Sequence, residues 1–255
     1  MIAIFDIGNT NITIGIFQNN KIIDVFRIPT IFGKQEKIFY EKLKNIFNKK
    51  KYEISDGFLG SVVPEDNKII KNVLKKYFNI ILKFFTKKTK LNIKNKYKKP
   101  EEVGEDRIAN AVAARTFYKN QNVIVVDFGT AITFDVINCR GEYCGGLILP
   151  GINLCVQSLF EKTAKLPAVK IKNIKKFIGN TTEISIISGI KNGIIGAIKY
   201  IINGIKKELK SKKVKIILTG GDANLFKFNI DKNQIIDKDF TLKGFKIIYD
   251  LNKGK

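Results

Sequence analysis

The chain has 255 residues, which is long enough for two compact domains of ordinary size. It carries 46 lysines and arginines against 23 aspartates and glutamates, so its formal net charge is +23. The chain contains no histidine, and this excludes Ser-His-Asp triads, Cys-His pairs and histidine-ligated metal centres. Any proton transfer must therefore use a carboxylate, lysine, tyrosine or cysteine.

The positive charge is spread along the chain and is not gathered beside aromatic residues or a recognition helix. We therefore expect no nucleic-acid partner. The apolar runs are shorter than a membrane span, and Lys21 and Asp24 follow the N-terminal segment too soon for a signal peptide, so we predict a cytoplasmic protein without a membrane segment. Cys139, Cys144 and Cys155 are predicted to be small buried apolar residues.

The first seventeen residues form an apolar strand that ends on Asp6, turns at Gly8, Asn9 and Thr10, and returns as a second strand. We call these three turn residues the first turn. Gly8 lets a ligand approach the backbone, Asn9 and Thr10 offer short polar groups, and Asp6 could orient a Mg²⁺ ion. The pattern is that of a phosphate site, although for a single occurrence we would favour an ordinary hairpin.

The same pattern recurs at residues 123–137, where an apolar strand ends on Asp127, turns at Gly129 and Thr130, and continues as another strand. We call Gly129 and Thr130 the second turn. The duplicated unit resembles the actin-like, sugar-kinase-like ATPases, in which two such turns face each other across a cleft and hold ATP. The chain has no P-loop or Rossmann glycine motif.

The remaining elements predict an α/β chain made of two similar ribonuclease-H-like domains, covering residues 1–118 and 119–255. In the first domain, further strands and helices alternate after the hairpin, at residues 21–28, 35–48, 57–63, 65–78 and 80–85, and residues 86–99 are predicted to be a loop. In the second domain, strands are predicted at 142–149 and 214–218 and helices at 152–163 and 183–208. Residues 219–221 are predicted to begin a helix whose amides could lie near a nucleotide, or to form only a tight turn.

Residues 100–118 contain a predicted helix, and Glu105, Asp106 and Arg107 lie at its start. Acidic residues in a first turn can simply complement the helix dipole. An arginine beside a carboxylate also suits a site that holds an acidic substrate and takes a proton from its hydroxyl group. We favour the second interpretation.

Taken together, the motifs of this chain resemble those of the type III pantothenate kinases, and they occur in that family's order from Met1 to about Asn252. The motifs that carry the resemblance are Asp6 to Thr10, Gly104 to Asn110, Asp127 to Ala131, Gly145 to Gly151, and Thr219 to Gly221.

The resemblance implies a kinase that transfers the γ-phosphoryl group of ATP to pantothenate with a divalent cation such as Mg²⁺. It implies that Asp106 is the catalytic base and that Asp127 binds a monovalent cation, K⁺ or NH₄⁺. The family forms homodimers. The resemblance assigns ATP to Asp6, Ile7, Gly8, Asn9, Thr10, Asn11, Ile12, Thr13 and Thr130, and pantothenate to Tyr97, Gly104, Glu105, Asp106, Arg107 and Thr182, with Thr182 reaching across the subunit interface.

The chain departs from the family pattern at Lys90, at Lys98 and Lys99, and at Thr181, and its segment after Pro29 is shorter. These departures affect the lining of the pantothenate pocket and leave the aspartates unchanged. Two alternatives stay open: a kinase of the same fold for another small hydroxy acid, and a regulatory protein, because relatives of this family have been described as accessory factors for transcription.

Overall fold

The computed structural model describes residues 1–30, 36–49, 52–172, 174, 176–227 and 230–254. The chain forms two compact units. The first contains residues 1–93, 97–113 and 240–255, and the second contains residues 94–96 and 114–239.

The first unit is built on a five-stranded sheet in the order β3-β2-β1-β4-β5. Strands β1 to β3 form an antiparallel meander, whereas β4 lies parallel to β1 and β5 parallel to β4. Apolar residues on alternate positions of the first two strands fill the core beneath the sheet. The strands are β1 Ile2–Ile7, β2 Asn11–Gln18, β3 Lys21–Pro29, β4 Asp56–Ser61 and β5 Ile81–Phe84.

Helices α1 (Glu36–Lys49) and α2 (Pro64–Phe78) contribute apolar side chains to the core that also contains Phe5 and Ile14. Both helices are amphipathic, as their spacing of apolar residues predicts. The start of the first helix was predicted at residue 35, which lies outside the described residues.

The C-terminal helix α6 (Phe240–Leu251) belongs to the first unit, whereas the sequence placed residues 240–255 with the second half of the chain. Leu242 packs beside Gly15 of β2, and the ring of Phe245 occupies the space that a side chain at Gly60 of β4 would need. Tyr249 donates a hydrogen bond to Asp56 Oδ2 at 3.2 Å. The apolar face of α6 is therefore buried on the N-terminal sheet, across a sequence separation of more than 180 residues.

The second unit repeats the same strand arrangement in a sheet of order β11-β10-β7-β8-β9-β6. Strands β7, β8 and β9 form an antiparallel meander, and β10 and β11 continue from β7 in parallel. Omitting the short strand β6, the order and directions match those of the first unit, which confirms the predicted duplicated ribonuclease-H-like fold. The strands are β6 Lys94–Asn95, β7 Asn122–Phe128, β8 Ala131–Ile137, β9 Glu142–Pro150, β10 Val214–Thr219 and β11 Ile235–Ile236.

Three further helices are α3 (Glu105–Phe117), α4 (Ile152–Glu161) and α5 (Thr182–Glu208). Isoleucines along one side of α5, among them Ile198 and Ile202, pack into the core of the second sheet. By length and composition α5 could also cross a membrane, with a mean hydropathy of 1.2 over an 18-residue window of which 28% is buried. Core helices of soluble proteins satisfy the same criterion.

Several local predictions need correction. The predicted loop 86–99 contains the strand β6, which pairs with β9. The segment after Thr219 forms only a short 3₁₀ helix, Ala223–Phe226, so no α-helix begins there. Cys139 and Cys144 are exposed and Cys155 is partly exposed, because Cys139 lies in a turn, Cys144 lies on the exposed face of β9 and Cys155 lies on α4 outside the core.

Candidate active site

The first turn joins β1 to β2 and is held by hydrogen bonds to its own carbonyl groups. Gly8 N donates to Asn11 O at 3.0 Å, and Thr30 donates from its hydroxyl to Gly8 O at 2.6 Å and from its amide to Thr10 O at 3.0 Å. The side chains of Asn9, Thr10 and Asn11 are exposed. The turn therefore has a fixed backbone and presents short polar side chains to solvent.

The residues that flank this turn differ in what they can offer a ligand. Ile7 and Ile12 are fully buried in the core of the first unit, so their side chains are not available to a nucleotide. Asp6 and Thr13 are partly exposed and lie opposite each other in the β1–β2 register. Of the residues assigned to ATP on this hairpin, Ile7 and Ile12 can contribute only backbone atoms.

The start of α3 carries Glu105 and Asp106, both partly exposed. Glu105 Oε2 accepts a hydrogen bond at 2.8 Å from the amide of Ser61, the last residue of β4. Burial raises the pKa of Glu105 to about 7; the hydrogen bond from Ser61 acts in the opposite direction, and the neighbouring charge of Asp106 raises the pKa further.

The carboxylate of Asp106 folds back against its own helix, where its Oδ1 accepts a hydrogen bond from Arg107 N at 2.8 Å. A side chain at position 104 would place its Cβ 2.5 Å from this oxygen, so Gly104 makes the conformation possible. Burial raises the pKa of Asp106, while the amide and the charge of Arg107 act to lower it. A carboxylate in these surroundings accepts a proton more readily than one in water.

The other residues assigned to the pantothenate pocket lie near the surface, with one exception. Arg107 is only 7% exposed, whereas Tyr97 is partly exposed. Lys98 is exposed and Lys99 forms an exposed ion pair with Glu102. The backbone of Lys90 exchanges two hydrogen bonds with the side chain of Asn252, just after α6, at 2.9 and 3.0 Å. The departures at Lys90, Lys98 and Lys99 are therefore surface changes.

The second turn joins β7 to β8 in the second unit, and it is one residue shorter. Gly129 N donates to Ala131 O at 3.1 Å, and Gly151 N donates to Thr130 O at 3.0 Å. A side chain at Gly151 would overlap the carbonyl oxygens of Gly129 and Thr130. Thr130 itself is exposed, so its hydroxyl can contact a ligand.

Asp127 is the second-to-last residue of β7, and its carboxylate packs against Gly220, where a side chain would overlap Oδ1. Gly220 has φ of +89°, a value that favours glycine. The neighbouring Thr219 is paired with Asp127 in the β7–β10 register, and its hydroxyl is fully buried without a hydrogen-bond partner among the described residues. A buried orphan hydroxyl beside a carboxylate is compatible with an oxygen-ligated cation.

Thr182, the remaining residue assigned to pantothenate, is the first residue of α5 and is exposed. The preceding Thr181 caps this helix, since its Oγ1 accepts a hydrogen bond from Ile184 N at 3.3 Å. Thr181, where the chain departs from the family pattern, therefore stabilises the start of α5. The sequence comparison with the family did not indicate this role.

The sequence did not single out Ser61 or the hydroxyl of Thr219. Both lie at strand ends, and only strand pairing brings Ser61 opposite Ile7, the residue after Asp6, and Thr219 opposite Asp127. The one available signal was their position at the carboxyl end of a parallel strand, where ligands of α/β proteins bind.

The second unit also has a cavity of about 1140 Å³. None of the residues assigned to ATP or pantothenate lines it. Its lining comes from α5, the 3₁₀ helix and the segment before α6: Lys199, Asn224, Lys227, Ile230, Asp231, Lys232, Gln234, Ile236, Asp237, Lys238 and Asp239.

The sequence and the fold of this chain were compared with those of known proteins. The sequence model of the type III pantothenate kinases matches residues 2–204. A type III pantothenate kinase of Finegoldia magna is 44% identical over 259 residues, which covers 100% of this chain and 98% of the relative.

Two solved structures share the fold. One, from Campylobacter jejuni, is named as a Baf family transcriptional activator; it has a TM-score of 0.59 and 22% identity, with 99% of this chain and 100% of that chain covered. The other, the ethanolamine utilization protein EutJ from Carboxydothermus hydrogenoformans, has a TM-score of 0.54 and 15% identity, with 96% and 89% covered. At these identities the similarity concerns the fold alone.

Proposed function

Because the chain belongs to the type III pantothenate kinase family, we propose that it transfers the γ-phosphoryl group of ATP to pantothenate. The product is 4'-phosphopantothenate, and the reaction is the first step of coenzyme A biosynthesis. The observation that carries the proposal is the carboxylate of Asp106, which is fixed at the head of α3 with a raised pKa, in a chain that has no histidine to act as base.

On the acceptor side, Asp106 takes the proton of the primary hydroxyl of pantothenate. The hydroxyl oxygen forms a bond to the γ-phosphorus, the bond from that phosphorus to the bridging oxygen breaks, and ADP leaves. The hydrogen bond from Arg107 N holds the carboxylate in one orientation, so little reorganisation is needed when it accepts the proton. We propose that Tyr97 and Arg107 help to hold pantothenate.

On the donor side, we propose that the polar first turn binds the phosphates of ATP, with Thr130 from the second turn. Among the described residues, no group of three or more acidic or cysteine side chains could hold a metal ion by itself. Mg²⁺ commonly uses one or two carboxylates together with substrate phosphates and water. A single carboxylate, that of Asp6, is therefore enough for this role. The ion would neutralise charge that develops on the phosphates.

We propose that Asp127 holds the monovalent cation, K⁺ or NH₄⁺. The close fit of its carboxylate against Gly220 and the orphan hydroxyl of Thr219 support this assignment. When bound, such an ion would add positive charge near the second turn.

We further propose that the protein forms a homodimer through α5. Gly189, Gly193 and Gly196 follow one face of this helix, and a side chain at any of them would meet nothing within 4 Å. Tyr200 on the same face is 81% exposed, and Ile178 just before the helix is 84% exposed. A second copy of the chain would cover this apolar surface and bring Thr182 to the partner's pantothenate site. A cytoplasmic location stays a prediction.

The reaction is tested by ADP release from the purified protein with ATP and Mg²⁺, with and without pantothenate, in potassium and in sodium buffer. We expect turnover that requires pantothenate and potassium. Turnover with another hydroxy acid instead would favour the related kinase. Salt-dependent binding to DNA without phosphoryl transfer would favour the regulatory alternative.

The dimer is tested by light scattering of Gly193→Arg, which places a long charged side chain on the proposed interface. We expect a dimer for the unchanged protein and a monomer for this variant. Asn20→Arg adds the same side chain at an exposed turn between β2 and β3 and should remain a dimer. A monomeric unchanged protein would contradict the proposed interface.

A further inference from the structure

The side chain of Glu105 attaches the acidic start of α3 to the first sheet. Glu105 Oε2 accepts the hydrogen bond from Ser61 N at 2.8 Å, across 44 residues of sequence. Ser61 is held in place from its other side, because its own Oγ accepts a hydrogen bond from Val63 N at 2.9 Å. The carboxylate of Glu105 therefore points back to the end of β4 and not into solvent.

The end of β4 is in turn joined to the strand that carries the first turn. Ser61 lies opposite Ile7 in the parallel β1–β4 register, and Val62 N donates to Ile7 O at 3.0 Å. Ile7 is the residue immediately before Gly8. Two hydrogen bonds, from Val62 N to Ile7 O and from Ser61 N to Glu105 Oε2, thus connect the strand before the first turn to Glu105. Asp106 is the next residue after Glu105.

A simple interaction with the helix dipole does not explain this arrangement. The first turn of α2 carries an exposed Glu65 and a buried Asp66, so burial by itself does not distinguish Glu105; its hydrogen bond to Ser61 of another element does. Glu105 is also partly buried, next to a second carboxylate, in surroundings that disfavour its charge. A residue kept in an unfavourable place is often there because of function.

We propose that Glu105 is a positioning residue that fixes Asp106 relative to the first turn, so that the base and the phosphate-binding backbone are held by one hydrogen-bonded path. This inference rests on the proposed function. It differs from the assignment of Glu105 to the pantothenate pocket, because a carboxylate that accepts the Ser61 amide acts on the reaction through Asp106.

The experiment compares Glu105→Ala with Glu105→Gln in the full chain. Alanine removes the acceptor of the Ser61 hydrogen bond, whereas the glutamine side chain keeps a carbonyl oxygen that can accept it. Glu65→Ala is the matched control, since it removes an exposed carboxylate from the first turn of the neighbouring helix α2. For each protein, kcat and the KM values for ATP and pantothenate are measured together with the melting temperature.

We expect Glu105→Ala to lower kcat by about 10- to 100-fold, because small misplacements of reacting groups have effects of this size. Both KM values should change by less than about threefold, and Glu105→Gln should recover most of kcat. Glu65→Ala should behave as the unchanged protein. A raised KM for pantothenate with an unchanged kcat would show direct substrate binding and overturn the proposal, as would full activity of Glu105→Ala.

A second measurement does not depend on activity. Hydrogen exchange of the Ser61 amide should be faster in Glu105→Ala than in the unchanged protein by at least about tenfold, and close to the unchanged rate in Glu105→Gln. Equal exchange in all three proteins would overturn the proposed path. If exchange changes as expected but pantothenate supports no turnover in the unchanged protein, the proposed function fails while the structural connection stands.

Discussion

The first and second turns repeat one strand-turn-strand motif, but different residues surround each copy. In each, the second-to-last residue of a buried strand is an aspartate, a glycine amide donates a hydrogen bond that closes the turn, and a threonine carbonyl accepts an amide from a later segment. In the first turn, Asn9 and Thr10 are exposed, and the end of the neighbouring strand β4 donates a hydrogen bond to Glu105 at the start of α3. Around the second turn lie Gly151 and Gly220, which leave no space for side chains.

The two turns therefore share their backbone and differ in the groups that surround them. The repeated strands determine only the position of the aspartate and of the turn in each unit. The segments that pack against each turn then decide whether the site has titratable carboxylates or closely approaching backbone. We therefore expect substitutions in the first unit to affect proton transfer, and substitutions around the second turn to affect the fit of the phosphate and cation site.

The largest effect is expected for Asp106→Asn, which keeps the shape of the side chain and removes the base. We expect kcat to fall by about 10²- to 10⁴-fold, the usual contribution of general-base catalysis. The measurement is pantothenate-dependent ADP release. The melting temperature and the affinity for ATP should change little, and undiminished turnover would show that another group takes the proton.

An intermediate effect is expected for Gly151→Ala, compared with Gly129→Ala in the second turn itself. The new methyl group at position 151 overlaps two carbonyl oxygens, whereas at position 129 it lies 3.5 Å from Ala131 O, an ordinary contact. We expect Gly151→Ala to lower the free energy of unfolding by about 1 to 3 kcal/mol, with a higher KM for ATP. Gly129→Ala should remain within about 1 kcal/mol of the unchanged protein. Equal destabilisation by both would contradict the crowded surroundings of Gly151.

The smallest effect is a pH-dependent change in stability for Glu105→Gln. Burial raises the pKa of Glu105 to about 7, so the folded protein binds this proton more tightly than the unfolded chain. The contribution of Glu105 to the free energy of unfolding therefore falls as pH rises from the unfolded pKa, about 4.3, towards 7, and stays low above it.

Glutamine cannot titrate, so the variant should melt at the same temperature as the unchanged protein near pH 4. It should melt about 1 to 2 °C higher at pH 8, a small rise because water screens a partly exposed carboxyl group. Thermal denaturation at these two pH values is the measurement. A variant that is less stable at pH 8 would show that the charge of Glu105 stabilises the fold.

The sequence by itself predicted most of the strands and helices, both turns and the acidic start of α3, because each depends on local patterns of apolar spacing and turn residues; it did not predict β6, β11 or α6. The duplicated fold could be predicted from those patterns because the two halves present them in the same order. Asp106 could be proposed as the base because of the family resemblance and the neighbouring Arg107, and in the structure its carboxylate lies against Gly104 and the amide of Arg107.

Only the tertiary structure decided which sheet the last helix covers, which cysteines are exposed, and what Glu105 contacts. An apolar helix face requires a partner, but its spacing does not say which of two similar sheets provides it; α6 packs on the N-terminal one. Likewise, the bond from Ser61 to Glu105 and the pairing of Thr219 with Asp127 join residues 44 and 92 positions apart. Such contacts depend on how strands are paired and helices are packed, and no local pattern encodes them.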